Sequence, residues 1–193
     1  MDSTQPEFWS SRYASGQIPW DLGGIPTPLK TFLQRSSGSG RVLVPGCGSG
    51  YEIKAFHEAG YDVVGIDFSI VAVERAKNIL GELAEKVILG DFFTHPFRMD
   101  FDFVYERTFL CSMPPKCWPD YVNRVTELLS ANGKLIGIFL YGERATSGPP
   151  FAITDAEANR LLSRTLRLVR SETVSDSLPI FRNKERWQEW QKF

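Results

Sequence analysis

The stretch Val42-Leu43-Val44-Pro45-Gly46-Cys47-Gly48-Ser49-Gly50 limits what this chain can fold into more than any other. An apolar run ends in glycines at 46, 48 and 50, and Ile53, Ala55, Phe56 and Ala59 then follow at helical spacing. Strand, tight turn and helix in that order open a βα unit. Glycine lets the backbone turn sharply and approach a ligand with no Cβ in the way. Alone the pattern is weak, because such a turn needs glycine even where nothing binds.

The unit repeats along the chain. Gly60 stops the first helix, residues 61–66 are rich in β-branched types, and Ser69 is placed to cap a helix over 70–80. Strands are predicted at 86–89 and 101–105, the latter apolar enough for a parallel sheet covered on both faces. Residues 119–130 place Tyr121, Val122, Val125, Leu128 and Leu129 on one helical stripe. Ala131-Asn132-Gly133 reads as the stop, and 134–141 as a fifth strand. This rhythm predicts an α/β fold, a Rossmann-like, doubly wound and mostly parallel sheet with right-handed crossovers. Beyond it, 155–165 reads as a helix, 166–174 as a strand and 184–192 as a short aromatic-rich helix. The tail is expected to close the sheet with an antiparallel pair.

At 193 residues one domain over 1–193 is expected, with a segment at 1–35, a hinge at Ser36-Ser37-Gly38-Ser39-Gly40 and an α/β core over 41–193. A net charge of −1 argues against the positive field of a nucleic-acid binder and favours a small-molecule partner. The cysteines Cys47, Cys111 and Cys117 are odd in number and form no CxxC pair, so no metal site or disulfide framework is expected. The start is acidic and polar, and no apolar run approaches a membrane span. A cytoplasmic monomer is the expectation.

Asp67 ends the second strand 17 residues past Gly50, near the spacing at which a carboxylate accepts hydrogen bonds from ribose hydroxyls. An adenosyl ligand is therefore favoured. Asp91-Phe92 closes the third strand, where a carboxylate and an aromatic suit an adenine amino group and ring; Asp91 reads equally well as a turn cap. Glu106-Arg107 ends the fourth. Arg107 there can clamp a ligand carboxylate with two hydrogen bonds or form a surface ion pair with Glu106 or a neighbour.

With these residues in view, the chain resembles the thiopurine methyltransferase superfamily, particularly its thiol and halide methyltransferase branch. The resemblance covers most of the chain. It is carried by Trp9 with Tyr13, Ile18-Pro19-Trp20-Asp21, Thr27-Pro28-Leu29, the Val42–Gly48 run with its unusual Pro45, Val64-Gly65-Ile66-Asp67, Glu106-Arg107 and Gly148-Pro149-Pro150. It implies a class I methyltransferase that uses S-adenosyl-L-methionine and releases S-adenosyl-L-homocysteine. It further implies that Trp9, Tyr13 and Trp20 fold over the cofactor, with Gly46, Gly48, Asp67, Asp91, Phe92 and Arg107 lining the rest. Tyr13 stands where the thiol and halide branch often has tryptophan, and Arg107 where it often has tyrosine, so the two branches are mixed here. Read from residues alone, Trp9 and Trp20 are ordinary core anchors.

Methyl transfer from a sulfonium needs the nucleophile, methyl carbon and leaving sulfur in line, with attack from about 3–3.5 Å. A thiol is already partly thiolate near neutrality and needs little base assistance. That suits a chain whose two histidines fall on the helix after the turn, at His57, and in a loop, at His95. Neither is assigned a role. The expected partner is a small thiol, sulfide or halide in a dry aromatic pocket. Phe109, Tyr141, Pro150 and Phe151 are the candidate acceptor contacts, with Arg107 orienting and Glu106 a candidate proton acceptor. Cys111 is read as a packing residue. Three alternatives stand beside this reading: an O or N acceptor, an NAD(P)-dependent oxidoreductase, and a non-catalytic adenosyl-binding module.

Overall fold

The computed structural model describes residues 2–143 and 148–193, so Met1 of the expected 1–35 segment lies outside the described residues. The chain forms two compact units, Met1–Pro96 and Phe97–Phe193.

The first unit opens with two helices that periodicity did not announce, α1 (Pro6–Ala14) and α2 (Thr27–Arg35). Each carries proline in its first turn, where the missing N–H costs no helical bond. Only Phe8 of α1 is buried, which leaves it without an apolar stripe to read. Then come β1 (Arg41–Pro45), α3 (Tyr51–Glu58), β2 (Asp62–Asp67), α4 (Ile70–Leu80) and β3 (Val87–Leu89), as expected within a residue or two. The strands lie in the order β3-β2-β1, all parallel. Ser69 caps α4 by accepting the Ala72 N–H at 3.2 Å.

The second unit holds β4 (Phe101–Arg107), α5 (Trp118–Leu128), β5 (Leu129–Leu140), α6 (Asp155–Leu162), β6 (Leu166–Thr173) and β7 (Glu185–Lys192). Its strand order is β4-β5-β7-β6, with β4 and β5 parallel and β7 antiparallel to both neighbours. The expected antiparallel closure is present, but its second member is the segment read as a helix. Trp187 and Trp190 stand three apart and imitate a helical stripe. As a central strand, β7 is covered on both faces, so Glu185, Trp187, Gln188, Glu189 and Trp190 are all buried and no period of two survives.

The expected helix stop at 131–133 also sits differently, inside β5. There the pairing jumps from Phe101↔Leu129 to Phe103↔Lys134, and Asn132 takes a positive φ of 62° in the bulge. Further along, Gly137 has φ 143°, and a Cβ on it would stand 1.9 Å from the Glu106 carbonyl oxygen. No side chain fits where β5 presses on β4 at that point. Among the described residues no helix is long and apolar enough to cross a membrane.

Candidate functional site

In the first unit, β1 ends at Pro45 and delivers the glycine turn, and β2 ends at Asp67. The Gly48 N–H donates to Asp67 Oδ2 at 3.0 Å and the Ser69 N–H to Oδ1 at 2.9 Å. Turn and carboxylate are thereby one unit of structure. Asp67 is 8% exposed, and burial pushes its carboxyl up to about 6 against the N–H groups of Ser69, Gly48 and Phe68 that hold it down. Of these, the Gly48 and Ser69 bonds fall one on each oxygen, which leaves acceptor capacity for a hydroxyl donor.

The N-terminal aromatics reach the same turn. A Cβ on Gly48 would lie 2.5 Å from the Tyr13 hydroxyl, and Gly48 has φ 52°, so this position is reserved for glycine by both backbone and neighbour. Trp9 and Trp20 meet edge to face at 5.3 Å, and Tyr13 and Trp20 at 6.0 Å. All three are half-buried rather than in the core, which sets aside the reading of Trp9 and Trp20 as core anchors. Burial and the nearby Asp67 charge raise the Tyr13 phenol, which stays protonated. The segment is fastened by a Ser10–Ser69 hydroxyl pair at 2.9 Å and by Asp21, which accepts from the Ser49 hydroxyl at 2.6 Å. The sequence reading held Asp21 and Ser49 only as members of separate motifs and did not single out Arg75, since no local pattern joins residues so far apart.

Gly46 is half-buried at the mouth of the turn. Asp91 is exposed and forms the turn anticipated as its alternative role, its Oδ1 accepting the Phe93 N–H at 2.8 Å. Phe92 is 3% exposed, with Phe93 edge-on at 5.3 Å. The first unit thus brings Trp9, Tyr13, Trp20, Gly48 and Asp67 together; Asp91 and Phe92 follow β3 nearby in sequence.

In the second unit, Glu106 is 1% exposed and fully engaged. Its Oε1 accepts the N–H groups of Phe109 and Leu110, both at 2.9 Å, and Oε2 accepts the Tyr121 hydroxyl at 2.7 Å. Burial pushes its carboxyl up to about 7, opposed by these three donors. The geometry gives Glu106 the work of shaping the loop after β4 rather than of receiving a substrate proton. That loop presents Phe109, whose ring lies 6.0 Å from Tyr121. The Phe151 N–H donates to the Cys111 carbonyl at 2.7 Å and so joins the segment after β5 to the same loop. Pro150 and Phe151 are half-buried there.

Arg107 is half-buried at the end of β4, where its charge helps lower the Glu185 carboxyl that burial raises. Tyr141, a candidate acceptor contact, is buried with its hydroxyl donating to Gln188 Oε1 at 2.9 Å, beneath the Arg186 guanidinium at 4.1 Å from its ring. Cys111 is buried and its thiol raised well above the usual range by burial, as a packing residue should be.

Parallel βα units, a glycine turn that excludes a Cβ, and a carboxylate with free lone pairs at the end of β2 define a Rossmann-like protein whose residues fit an adenosyl group. The chain belongs to the thiopurine S-methyltransferase family, whose model matches residues 4–192. It is 34% identical over 168 residues to a probable thiol methyltransferase 2 of Arabidopsis thaliana, spanning 84% of this chain and 74% of that one. It is 30% identical to thiocyanate methyltransferase 1 of Brassica oleracea, over 95% of this chain and 84% of the relative. A thiopurine S-methyltransferase of Vibrio campbellii is also 30% identical, over 80% of each.

Among solved structures, a Burkholderia thailandensis 1,6-didemethyltoxoflavin-N1-methyltransferase with bound S-adenosylhomocysteine superposes with TM-score 0.78. It is 18% identical and covers 97% of this chain and 86% of its own. A magnesium protoporphyrin IX methyltransferase of Synechocystis with bound S-adenosylmethionine gives 0.69 at 18% identity, over 86% and 77%. These likenesses bear on the fold. With the family, they make this chain an S-adenosylmethionine-dependent methyltransferase, and the nicotinamide-dependent alternative falls away.

Proposed function

We propose that this enzyme methylates a small thiol, or a comparably soft nucleophile such as sulfide or a halide, and acts as one cytoplasmic, monomeric domain. One observation carries the acceptor class: the relatives act, by name, on a thiol, on thiocyanate and on thiopurines, which differ in shape but share an available sulfur. The geometry agrees. Glu106 is the carboxylate best placed by sequence to take a proton, and it is spent on Phe109, Leu110 and Tyr121. A nucleophile already ionised near neutrality asks for no such base.

Bound S-adenosylmethionine supplies a methyl carbon made electrophilic by its sulfonium sulfur. Asp67 would accept the ribose hydroxyls through its remaining lone pairs. Gly46 and Gly48 would leave room for the ligand at the turn, and Trp9, Tyr13 and Trp20 would cover it and exclude water. Asp91 and Phe92 would border the adenine, Arg107 would clamp a carboxylate, and Phe109, Pro150 and Phe151 would offer the acceptor an apolar contact that strips its water shell. In this scheme alignment and desolvation do the catalytic work.

The test offers the enzyme S-adenosylmethionine with sulfide, small thiols, thiocyanate, iodide, a phenol and an amine. Methylated products are read by headspace and liquid mass spectrometry. Methyl sulfides or methyl iodide are expected. Transfer confined to the phenol or the amine would replace the soft-acceptor reading, and cofactor binding with no product across the panel would favour a non-catalytic module.

A further inference from the structure

The N-terminal segment is tied to the glycine turn by three side chains far apart in sequence. Asp21 Oδ2 accepts the Ser49 hydroxyl at 2.6 Å. Arg75 Nε donates to that same hydroxyl oxygen at 2.9 Å, while Arg75 Nη2 reaches Asp21 Oδ2 at 3.5 Å. Asp21 directly follows Trp20, Ser49 lies between Gly48 and Gly50, and Arg75 stands on α4. The cluster therefore spans the covering segment, the turn and the helix that begins just after Asp67.

We propose that Asp21, Ser49 and Arg75 form a latch that holds residues 2–26 closed over the glycine turn, and so set Tyr13 and Trp20 in place for the cofactor. The last clause rests on the methyltransferase reading; the latch itself does not. None of the three is assigned contact with reacting atoms, so they are positioning residues. The segment needs such a device because a helix of nine residues with only Phe8 buried has little burial to hold it down. The Ser10–Ser69 pair fixes α1 to the start of α4, and the latch fixes the chain beyond α1 to the same helix at Arg75, nearly two turns further on.

The chemistry of the cluster is specific. The Ser49 hydroxyl donates its hydrogen bond to a carboxylate, which makes that bond charge-assisted, and its oxygen accepts from the guanidinium. Asp21 is 10% exposed and Arg75 40%, so the carboxylate end is shielded and only the arginine end is open to salt. One guanidinium serves two acceptors through different nitrogens. A lysine ammonium at position 75 has one nitrogen and cannot span both in the same geometry.

The test uses the full chain without ligand and with S-adenosylhomocysteine. Hydrogen exchange read by mass spectrometry should quicken across residues 2–26 in Asp21→Ala and in Arg75→Gln, while β1 and β2 keep wild-type protection. The dissociation constant for S-adenosylhomocysteine should rise roughly three- to tenfold in each, the partial exposure of Arg75 holding the effect down. The double variant should be no worse than the stronger single, because both break one cluster. Arg75→Lys should recover only part of the loss. In turnover, the KM for S-adenosylmethionine should rise more than kcat falls.

Unchanged exchange over residues 2–26 in both single variants overturns the latch, and additive losses in the double variant do the same. Faster exchange with unchanged affinity overturns the positioning role. Failure of the wild-type protein to bind S-adenosylhomocysteine would sink the methyltransferase reading, while the exchange measurement would still judge the latch.

Discussion

Asp67 at the end of β2 and Glu106 near the end of β4 are both buried carboxylates, and each receives two backbone N–H groups from the loop that follows or faces it. They differ in what remains. Asp67 divides its two bonds between its oxygens and keeps acceptor capacity on each. Glu106 takes both N–H groups on one oxygen and closes the other with the Tyr121 phenol. The contrast separates a carboxylate that keeps acceptor capacity from one spent on a loop, although both have raised pKa values for the same reason, burial. A perturbed titration alone would not have told them apart.

The largest test of this contrast strikes the structural side. Gly137→Ala would drive a methyl group into the Glu106 backbone, so the loss of stability in chemical denaturation should exceed about 3 kcal/mol, or the variant should not fold. Tolerance of alanine would mean that β5 does not press on β4 as described. Next comes the ligand side. Asp67→Ala should weaken S-adenosylhomocysteine binding by about 1.5–3 kcal/mol, roughly ten- to hundredfold by calorimetry. An unchanged constant would remove Asp67 from the site.

The two carboxylates should drive stability the same way with pH, and cofactor affinity should run against them. Both hold their protons more tightly folded than unfolded, so the folded chain binds more protons between about pH 4 and 7. Their contribution to stability is therefore greatest at the low end of that window and is lost as pH rises through about 6 for Asp67 and about 7 for Glu106. Cofactor affinity should run the other way, rising as pH passes about 6, because ribose hydroxyls donate to the ionised form of Asp67. Glu106→Gln should flatten the stability profile near pH 7 and leave the binding profile in place. Melting curves and calorimetry across pH 5–8 read both. A binding profile that shifts with Glu106→Gln would give that residue a part in the cofactor site. The smallest expected effect is that of Arg107→Lys, which keeps charge but loses the two-pronged geometry. Turnover should fall several-fold if Arg107 clamps a carboxylate.

How legible each region was follows from the range of the forces that shape it. The glycine turn, Asp67 and the Ser69 cap were plain because strand, turn and cap are set within a few residues. The Tyr13 and Trp20 placement came from family resemblance, and the geometry gave it a physical basis in the empty Cβ position of Gly48. The Asp21–Ser49–Arg75 cluster had no local signature at all. In the second unit, β7 was mistaken for a helix because a strand buried on both faces shows no alternation. Its buried polar residues disguised it further: Gln188 survives there only because Tyr141, Trp190 and Ser171 satisfy it. Glu106 was found as a residue, while its bond to Tyr121, fifteen residues on, had no local signature.

Cys47 sits inside the glycine turn, 5% exposed, and its thiol is raised well above the usual range by burial and by the charges of Asp67 and Glu52. Cys111 is sealed and protonated in the same way. A catalyst whose donor alkylates sulfur must spare its own, and the thiolate is the form that reacts. With both sulfurs neutral and out of solvent, the form that a methyl donor would alkylate is suppressed at each.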